Sequence, residues 1–538
     1  MKKENFKKII YYISIFIFTI YIIYRTFFTL STNLGITFFI FSLLLLLIEI
    51  FDAFDTYVYF FNILIPKTKS FKNINNNFTY PEVDIFIATY NEYEKMLSNT
   101  ISKCLELNYP DKSLIHIYLC DDGNRLNIKK LAEKYNINYL SRTNRKNFKA
   151  GNYNYALRHS SSPYIAVFDA DMAPCPDFLL KTIPYFFTEE KVGFIQLPQS
   201  FRNPDMFQYR FNLENELPFE QDYFYNYINI KKNTSNSTIF CGTNAVLSRQ
   251  ALIDANYFQT NSITEDIATG LEIESKGYKG IALSDVLVYG TSVTDFDGFI
   301  KQRIRWSRGG IQILKNSNFL FNKNLSIRQK TEYLSCLFYW FFSIKRLVFL
   351  IAPLLFILFN IIYIDCNLSV FLLLWTPTYL IRKFLIDICS KHKHSSTWSK
   401  IYEIILSPIL FKETIKELLG LESIPFEVSP KSIMKTKKFT KTNLKLLICH
   451  SILLILNIIG YCVGFYKFVI YSFSPIYILP LFFILSNIFY LLFAIIFDTN
   501  NRNDEVISFV PNKISKYKLS TFISVFRNIT WRKKDEIK

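Results

Sequence analysis

Two acidic motifs in the middle of the 538-residue chain have the residue types and spacing needed to hold a phosphate-bound cation. Asp121-Asp122-Gly123 and Asp169-Ala170-Asp171 each follow a short apolar run, although carboxylates in such places also form ordinary turns. Two carboxylates separated by one residue suit Mg²⁺ or Mn²⁺, because hard cations prefer oxygen ligands. Asp169 and Asp171 are therefore predicted to bind Mg²⁺ or Mn²⁺, which would neutralise a departing nucleotide diphosphate.

Two further motifs carry acidic, basic and aromatic side chains later in the same polar stretch. Thr264-Glu265-Asp266 stands ahead of a helix-like run, so its acidic residues could serve catalysis or only cap a helix. Gln302-Arg303-Ile304-Arg305-Trp306 combines guanidinium groups, which pair with phosphates, and an indole, which offers a flat face to a sugar ring. The alternative for this second motif is a basic amphipathic helix at a membrane surface.

Short apolar runs between residues 81 and 310 are the elements that would position these groups. They alternate with polar helical stretches, and the predicted strands are Val83–Ala88, Ile115–Cys120, Tyr164–Phe168 and Val192–Leu197. This alternation is typical of an α/β domain with a largely parallel sheet, which binds ligands at the carboxyl ends of its strands. The two aspartate motifs would then lie at one edge of that sheet.

Long apolar segments flank the polar stretch on both sides. They are long enough to cross about 30 Å of hydrocarbon, and we predict spans near 9–31, 36–51, 345–364, 367–385, 444–466 and 474–497. A cleaved signal peptide is the alternative for the first segment, but its apolar run is too long and no small-residue cleavage site follows. We therefore expect about six spans, with the α/β domain between the second and third.

The formal net charge of +18 is compatible with nucleic acid or with an anionic membrane surface. The lysines crowd beside apolar segments, near the start, at 431–445 and in the tail, which favours the membrane and predicts no nucleic-acid partner. Span number and positive charge agree in placing the α/β domain and both termini in the cytoplasm, with the chain in the cell membrane. The nine cysteines show no CxxC spacing, which argues against a disulfide framework or a zinc site.

Residues 398–419 alternate apolar and charged side chains at roughly helical spacing. An amphipathic helix lying on the membrane fits this pattern, and the alternative is a helix packed on the soluble domain. Residues 498–538 form a polar, basic tail, which we expect to be cytoplasmic and too short for a further globular domain.

The ordered set Asp-Asp-Gly, Asp-x-Asp, Thr-Glu-Asp and Gln-x-x-Arg-Trp resembles the processive family-2 glycosyltransferases, which make cellulose, hyaluronan and chitin. Thr89-Tyr90-Asn91-Glu92, Lys149-Ala150-Gly151-Asn152 and Phe240-Cys241-Gly242-Thr243 strengthen the match. The chain resembles most the bacterial cellulose synthase catalytic subunit, from about residue 80 to 500. The resemblance implies a cytoplasmic GT-A (Rossmann-like) domain at 80–310, inserted between membrane regions at 1–79 and 311–497.

The resemblance also implies a role for each motif residue. Tyr90, Glu92 and Asp122 would hold uridine beside Asp121, Lys149 would lie near the donor phosphates, and Asp169 and Asp171 would bind donor and metal. Asp266, next to Glu265, would be the general base. Arg305, with Gln302 and Arg303 of its motif, would stabilise the departing UDP. Trp306 would stack on the acceptor sugar, with Cys241 close by.

One further segment separates cellulose synthases from their relatives in this comparison. Phe426-Glu427-Val428-Ser429-Pro430-Lys431 resembles their gating loop, with serine where threonine is usual, and so predicts binding of donor by Phe426, Val428, Ser429 and Lys431. A lysine-rich link beside the membrane is the alternative. Many bacterial cellulose synthases carry a PilZ barrel after the last span, and we expect none here after residue 497, nor direct activation by cyclic di-GMP.

The expected reaction is therefore processive, inverting polymerisation of glucose from UDP-glucose into a β-glucan, with export through the chain's own helices. The partners would be the donor, the growing polysaccharide and membrane lipid. A β-1,3 or branched glucan capsule, hyaluronan or a chitin-like polymer stays open as the product. An inactive scaffold or export channel is the alternative of another class.

Overall fold

The computed structural model describes residues 2–30, 34–64, 78–188, 190–389, 395–421 and 440–500. Its helices are α1 Lys2–Phe28, α2 Ile36–Leu64, α3 Glu94–Leu105, α4 Leu126–Lys134, α5 Phe148–Arg158, α6 Phe178–Thr182, α7 Met206–Phe211, α8 Asn229–Lys232, α9 Arg249–Asp254, α10 Glu265–Ser275, α11 Phe296–Asn316, α12 Ile327–Phe338, α13 Phe342–Phe359, α14 Leu368–Cys389, α15 Ser396–Leu419, α16 Lys441–Ile470 and α17 Ile478–Thr499.

The strands all lie between α2 and α11. They are β1 Val83–Thr89, β2 Ile115–Asp121, β3 Asn138–Leu140, β4 Tyr164–Asp169, β5 Ala173–Pro174, β6 Val192–Gln196, β7 Ser200–Phe201, β8 Ala245–Ser248, β9 Lys279–Ala282 and β10 Val288–Gly290. The four predicted strands are β1, β2, β4 and β6, each within one residue of the predicted bounds.

The main sheet has seven strands in the order β3-β2-β1-β4-β8-β6-β9. β1 pairs in parallel with β2 and β4, whereas β8 is antiparallel to both of its neighbours. The central strands are buried on both faces, which explains why they are continuous apolar runs instead of alternating ones. The register joins Ala88 to Asp169 and Thr89 to Asp121, so the carboxyl ends of β1, β2 and β4 lie level at one edge.

The apolar helices before and after this sheet confirm the predicted combination of an α/β domain with membrane-type helices. Five stretches in the described residues are long and apolar enough to cross a membrane: Lys8–Phe28, Ile36–Asn62, Ile327–Phe359, Lys441–Ile470 and Pro475–Thr499. The segment predicted at 367–385 forms helix α14 but is not one of these five, so the predicted number of six spans is not confirmed.

Helix α15 forms where the amphipathic membrane helix was predicted, but several of its charged side chains face the interior of the protein. Glu403, Glu413 and Glu417 are buried within the protein, and the helix packs against α11, α13 and α17. Glu403 pairs with Arg346 at 2.5 Å, and the alternation of charged and apolar residues therefore reflects internal ion pairs. The sequence pattern could not distinguish these pairs from a solvated charged face. The contacts with α11 favour the alternative of a packed helix, and a place at the membrane surface stays a prediction.

The packing of α15 on α11 joins the membrane helices to the α/β domain. Arg308 Nε donates to Glu417 at 2.7 Å, and both side chains are less than one tenth exposed. The hydroxyls of Ser307 and Thr414 lie 3.2 Å apart, and Lys315 donates to the Glu417 carbonyl at 2.8 Å. Two places on α11, about two turns apart, are thus tied to one neighbouring helix.

We expect Arg308→Met to destabilise the protein by about 3–5 kcal/mol, because it leaves the Glu417 carboxylate buried without its partner. Lys276→Met is the matched control, since Lys276 pairs with Glu272 at 3.1 Å but both side chains are about a third exposed. Its cost should be about 0–1 kcal/mol. Thermal unfolding in detergent measures both, and equal midpoints for the two variants would contradict the proposed role of the Arg308–Glu417 pair.

Candidate active site

The level strand ends, the start of α10 and one face of α11 enclose a cavity of about 290 Å³. Almost every site residue predicted within the described part of the chain lines it. These residues are Tyr90, Glu92, Asp122, Lys149, Asp169, Asp171, Cys241, Glu265, Asp266, Gln302, Arg303, Arg305 and Trp306. Motifs more than 200 residues apart in sequence therefore meet around one space.

Asp121 is the exception: it does not line the cavity, so its role in substrate binding stays a prediction. The side chain is fully buried away from the cavity, and it accepts hydrogen bonds from the backbone N–H groups of Gly123 at 2.8 Å and Arg125 at 2.9 Å. It also pairs with the Arg125 side chain at 3.0 Å and accepts from the Tyr139 hydroxyl at 3.0 Å. Asp121 thus fixes the turn that presents its neighbour, Asp122.

Asp122 faces the cavity and is held by a bidentate ion pair. Arg142 Nε and Nη2 donate to its two carboxylate oxygens at 2.6 and 2.8 Å. The same guanidinium also donates to the carbonyls of Lys146 and Phe148, each at 2.7 Å. Arg142, which the sequence motifs did not identify, therefore fixes both the carboxylate and the loop that leads to Lys149.

Tyr90 and Glu92 form the cavity wall after β1. Glu92 accepts from the Thr89 hydroxyl at 2.7 Å and from the Tyr90 N–H at 2.8 Å, so it shapes this turn as well as lining the cavity. The Tyr90 ring is 39% exposed, with the Arg145 guanidinium 5.4 Å from its centroid. An aromatic face and a cation at the edge of a cavity suit a flat, anionic ligand.

Lys149 and Asp169 form the cationic and anionic centre of the cavity floor. Lys149 Nζ lies 2.5 Å from Asp169 and donates to the Gly242 carbonyl at 2.8 Å. Burial alone would lower the pKa of Lys149, but the charges of Asp169, Glu265 and Asp266 outweigh burial and the pKa is raised. The lysine therefore remains a cation at neutral pH, as contact with a diphosphate requires.

The donor set for a divalent cation consists of Asp169 and Asp171. Asp169 is about one third exposed in its side chain, and Asp171 is buried at the cavity wall. Among the described residues no cluster of three or more His, Cys, Asp or Glu side chains could hold a metal ion. Two carboxylates still fit Mg²⁺ or Mn²⁺, because such ions commonly take their other ligands from substrate phosphates and water.

Glu265 and Asp266 stand at the first turn of α10. Thr264 precedes them without a side-chain capping hydrogen bond, but both acids lie in the first turn of the helix and Asp266 accepts from the Ile267 N–H, so a capping role accompanies their place in the cavity. Burial, followed by the neighbouring charge of Asp266, raises the pKa of Glu265 to about 7, while Lys149 and Arg305 oppose the shift. Burial also raises the pKa of Asp266, and the Ile267 N–H, Lys149 and Arg305 oppose it in part.

Gly242 allows the turn after Cys241 to approach Asp266. Its φ of +76° is in the left-handed region, and a Cβ atom there would lie 3.0 Å from an Asp266 carboxylate oxygen. The Cys241 N–H donates to Gln196 at 2.8 Å, and its thiol donates to the Ile239 carbonyl at 3.4 Å. Burial, with the charge of Asp266, raises the pKa of the thiol well above its ordinary value, so Cys241 is a neutral wall of the cavity.

Helix α11 supplies Gln302, Arg303, Arg305 and Trp306 from one face. Arg303 pairs with Glu220 at 2.6 Å and its guanidinium lies 4.5 Å from the Trp306 ring, so it helps to position the indole, and its predicted contact with substrate stays a prediction. Arg305 is the arginine whose charge acts on Glu265 and Asp266. At Gly309 a Cβ atom would lie 2.4 Å from the Thr264 side chain, so glycine permits the close contact between α11 and the Thr-Glu-Asp turn.

The predicted donor-binding residues Phe426, Val428, Ser429 and Lys431 lie outside the described residues, so their roles stay predictions. The described segments before and after these residues are both hydrogen-bonded to α11. The Glu417 carbonyl near the end of α15 accepts from Lys315, and Thr440 donates to Asp297 at 2.9 Å in the first turn of α11.

Sequence reasoning missed Arg142, Arg145 and Glu220. All three act by pairing with a residue that the motifs did identify: Asp122, Tyr90 and Arg303 respectively. For the two arginines, the sequence signal is the basic run before Lys149. That run by itself does not indicate which arginine turns toward the strand edge.

Comparison with known proteins agrees with this geometry. Residues 84–255 match Glycosyl transferase family 2. The cellulose synthase catalytic subunit (UDP-forming) of Pseudomonas fluorescens (strain SBW25) is 30% identical over 392 residues, which are 72% of this chain and 52% of that protein. The cellulose synthase 1 catalytic subunit (UDP-forming) of Komagataeibacter xylinus is 30% identical over 405 residues, or 74% and 54% of the two chains.

The chain thus spans about half the length of these two relatives. Their similarity and the family match confirm the resemblance predicted from the motifs. Among solved structures, the mannosyltransferase PcManGT from Pyrobaculum calidifontis in complex with GDP-Man and Mn²⁺ covers 71% of this chain and 99% of its own, at 17% identity. Its TM-score of 0.49 is too low to support an argument about donor or metal.

The contrast between Asp121 and Asp122 gives a direct test of the site. Asp121→Asn should lower stability by about 3 kcal/mol, because it removes the charge that pairs with Arg125 in a buried position. Asp122→Asn also removes the charge that pairs with Arg142 and should cost a similar amount of stability. In the folded protein it should in addition weaken UDP binding about tenfold through loss of one charged hydrogen-bonding group. Thermal unfolding and equilibrium binding of UDP measure the two effects. A larger loss of UDP affinity in folded Asp121→Asn than in Asp122→Asn would contradict this assignment.

Proposed function

We propose that this chain, whose residues 84–255 belong to glycosyl transferase family 2, polymerises glucose from UDP-glucose into a β-linked glucan. The reaction would be processive and inverting, and the product would leave through the chain's own membrane helices. One observation carries the proposal: the buried acids of α10, the cation Arg305 and the Trp306 indole surround the same cavity as the Lys149–Asp169 pair. That arrangement provides a base, a site for a diphosphate and a platform for a sugar.

The donor occupies the edge formed by the strand ends. Asp122, held by Arg142, accepts hydrogen bonds from the nucleoside, and the Tyr90 ring provides the face beside it. Lys149 contacts the diphosphate, because its ammonium lies beside Asp169 at the strand ends and keeps its charge. Mg²⁺ or Mn²⁺, held by Asp169 and Asp171, would add neutralising charge to the diphosphate when bound.

Asp266 acts as the general base for the acceptor hydroxyl. Burial raises the pKa of its carboxyl, which makes the carboxylate a stronger base than an exposed aspartate. The proton moves from the acceptor hydroxyl to Asp266 while the oxygen attacks the anomeric carbon, and the bond to UDP breaks. One displacement of this kind converts an α-linked donor into a β-linked product.

Arg305 stabilises the departing UDP, and Trp306 holds the acceptor sugar. Arg305 faces the developing negative charge of UDP, and a fixed guanidinium stabilises that charge without solvent reorganisation. Trp306 stacks on the terminal acceptor sugar, its plane held by Arg303. Stacking is the same for every unit of a repeating polymer, which lets the chain advance while it stays bound.

The location follows from the helices and their charges. In the described part of the chain, five helices are long and apolar enough to cross a membrane, which supports a place in the cell membrane. The lysine-rich segments beside them favour the cytoplasm for the α/β domain, where UDP-sugars are made available, and for both termini.

Asp266→Asn should lower the rate of UDP release from UDP-glucose by about 10²–10⁴-fold, the usual contribution of general acid–base catalysis. The measurement uses purified full-length protein, with Asp254→Asn as control, since Asp254 lies on a remote surface of the same domain and pairs with Tyr278 at 2.6 Å. Equal UDP release by wild type and Asp266→Asn, with UDP binding intact, would reject the mechanism.

The pH dependence should reflect the coupled Glu265–Asp266 pair. Because the base must be deprotonated, kcat/KM should fall as the pH decreases through the raised pKa of Asp266. Glu265→Gln removes the neighbouring negative charge and should move this acidic limb to lower pH. Glu272→Gln, at a partly exposed position of α10 outside the cavity lining, should leave the profile unchanged. An acidic limb at the same pH in Glu265→Gln and wild type would contradict the coupling.

A further inference from the structure

Asp205 is a buried acid at the cavity that the proposed mechanism does not use. It precedes α7, is 8% exposed, and lines the cavity although it belongs to none of the sequence motifs. Burial raises the pKa of its carboxyl to about 7, while the N–H groups of Gln208 and Glu220 oppose the shift. A carboxylate is costly to bury, so the contacts that hold Asp205 indicate its role.

The two carboxylate oxygens of Asp205 contact two different segments. Oδ1 accepts from the Gln208 N–H at 2.8 Å, and the Gln208 side chain accepts from the Asp205 N–H at 2.9 Å, which caps the first turn of α7. Oδ2 accepts from the Glu220 N–H at 2.7 Å, 15 residues further along the chain. One oxygen thus caps a helix, and the other fixes the backbone of Glu220.

Capping alone does not require a carboxylate at this position. Helix α12 begins with the same type of capping box, in which Ser326 and Gln329 exchange hydrogen bonds of 3.2 and 2.9 Å. A serine hydroxyl is uncharged and therefore less costly to bury than a carboxylate. What distinguishes Asp205 from a serine is the second oxygen, which accepts from Glu220.

Glu220 connects Asp205 with the indole of Trp306. Its carboxylate pairs with Arg303 at 2.6 Å, and the two side chains are 15% and 6% exposed. The Arg303 guanidinium lies 4.5 Å from the Trp306 ring and 4.9 Å from the Phe299 ring. A guanidinium at such depth depends on its counter-charge, so a shift of Glu220 would also move Arg303 away from the two rings.

The residues on either side of Glu220 also face the cavity. Phe219 and Gln221 line it, and the Phe219 ring stacks on Phe201 at 5.1 Å. The segment before them is attached to α7 as well, because the Gln208 side chain donates to the Leu217 carbonyl at 2.7 Å. The start of α7 therefore holds the cavity wall on which Glu220 lies.

We propose that Asp205 is a positioning residue for the growing polymer, and that it acts through Glu220 on the Trp306 indole. Its second oxygen fixes Glu220, which holds Arg303 in place beside the ring on which the acceptor sugar stacks. The inference rests on the proposed function and adds a residue outside the recognised motifs. A less ordered indole would let the polymer dissociate sooner, so the length of the product reports on Asp205.

The residues proposed to bind the donor are held by other contacts. Asp122 pairs with Arg142 at 2.6 Å, and Lys149 pairs with Asp169 at 2.5 Å. A change at Asp205 should therefore shorten the polymer and leave the affinity for UDP as it is.

Asp205→Ser tests this role, because serine keeps the capping hydrogen bond of α7 but has no second oxygen for the Glu220 N–H. Purified full-length protein is given UDP-glucose, and the mean polymer length is measured as incorporated glucose per reducing end. We expect the mean length to fall about tenfold, the effect of losing one charged hydrogen-bonding group, while the affinity for UDP stays at the wild-type value.

Ser326→Ala is the matched control, because it removes a helix cap of the same type at α12, outside the cavity lining. It should lower the thermal stability without changing the polymer length. An unchanged polymer length in Asp205→Ser would overturn the inference. Failure of Asp205→Ser to fold, where Ser326→Ala folds, would make Asp205 a structural residue and overturn it too.

Glu220→Gln provides a second test, because it weakens the pair with Arg303 and leaves the backbone N–H in place. It should shorten the polymer to a similar extent, and the double variant with Asp205→Ser should make polymer no shorter than Glu220→Gln alone, since both changes act through the same contacts. Losses that multiply in the double variant would overturn the inference. Wild-type protein that makes no polymer from UDP-glucose would contradict the proposed function itself, and the inference with it.

Discussion

Helix α11 has to satisfy two sets of contacts at the same time, and the geometry of the active site depends on both. One face carries Arg305 and Trp306 into the cavity, and Gly309 lets the helix touch the turn that holds Asp266. Another face is fixed to α15 by the buried pair of Arg308 and Glu417. Because α15 packs on α13 and α17, the position of Arg305 is determined partly by helices of the membrane region. Chemistry and membrane packing are therefore mechanically linked.

The electrostatics of the cavity follow from placing acids and cations together in a buried space. Asp169, Glu265 and Asp266 keep Lys149 charged, while Lys149 and Arg305 limit how far burial raises the pKa values of the two acids on α10. Neither set would be stable alone at this depth, since an unpaired buried charge is strongly unfavourable. A diphosphate entering the cavity would meet cations that are already ordered, which reduces the reorganisation needed during transfer.

The sequence predicted the sheet and the edge at which the motifs meet, because buried parallel strands are continuous apolar runs that end at polar residues. It could not separate Asp121 from Asp122: adjacent carboxylates look alike, and only the positions of Arg125, Tyr139 and Arg142 assign one to the turn and the other to the cavity. The sequence also does not show which residues the charges of α15 pair with, so their pattern suggested a helix on a membrane surface. Their partners are distant in sequence, so the pattern alone could not show that they are internal.

The central claim is that this cavity builds a glucose polymer, and product analysis tests it most directly. Purified full-length protein would be given Mg²⁺ or Mn²⁺ and, separately and together, UDP-glucose, UDP-N-acetylglucosamine and UDP-glucuronate. Any polymer formed would then be digested with linkage-specific glucanases. The account predicts a polymer from UDP-glucose alone that a β-glucanase degrades, and the enzyme that degrades it would identify the linkage. Polymer formed only from the amino-sugar or acidic donors would contradict the account.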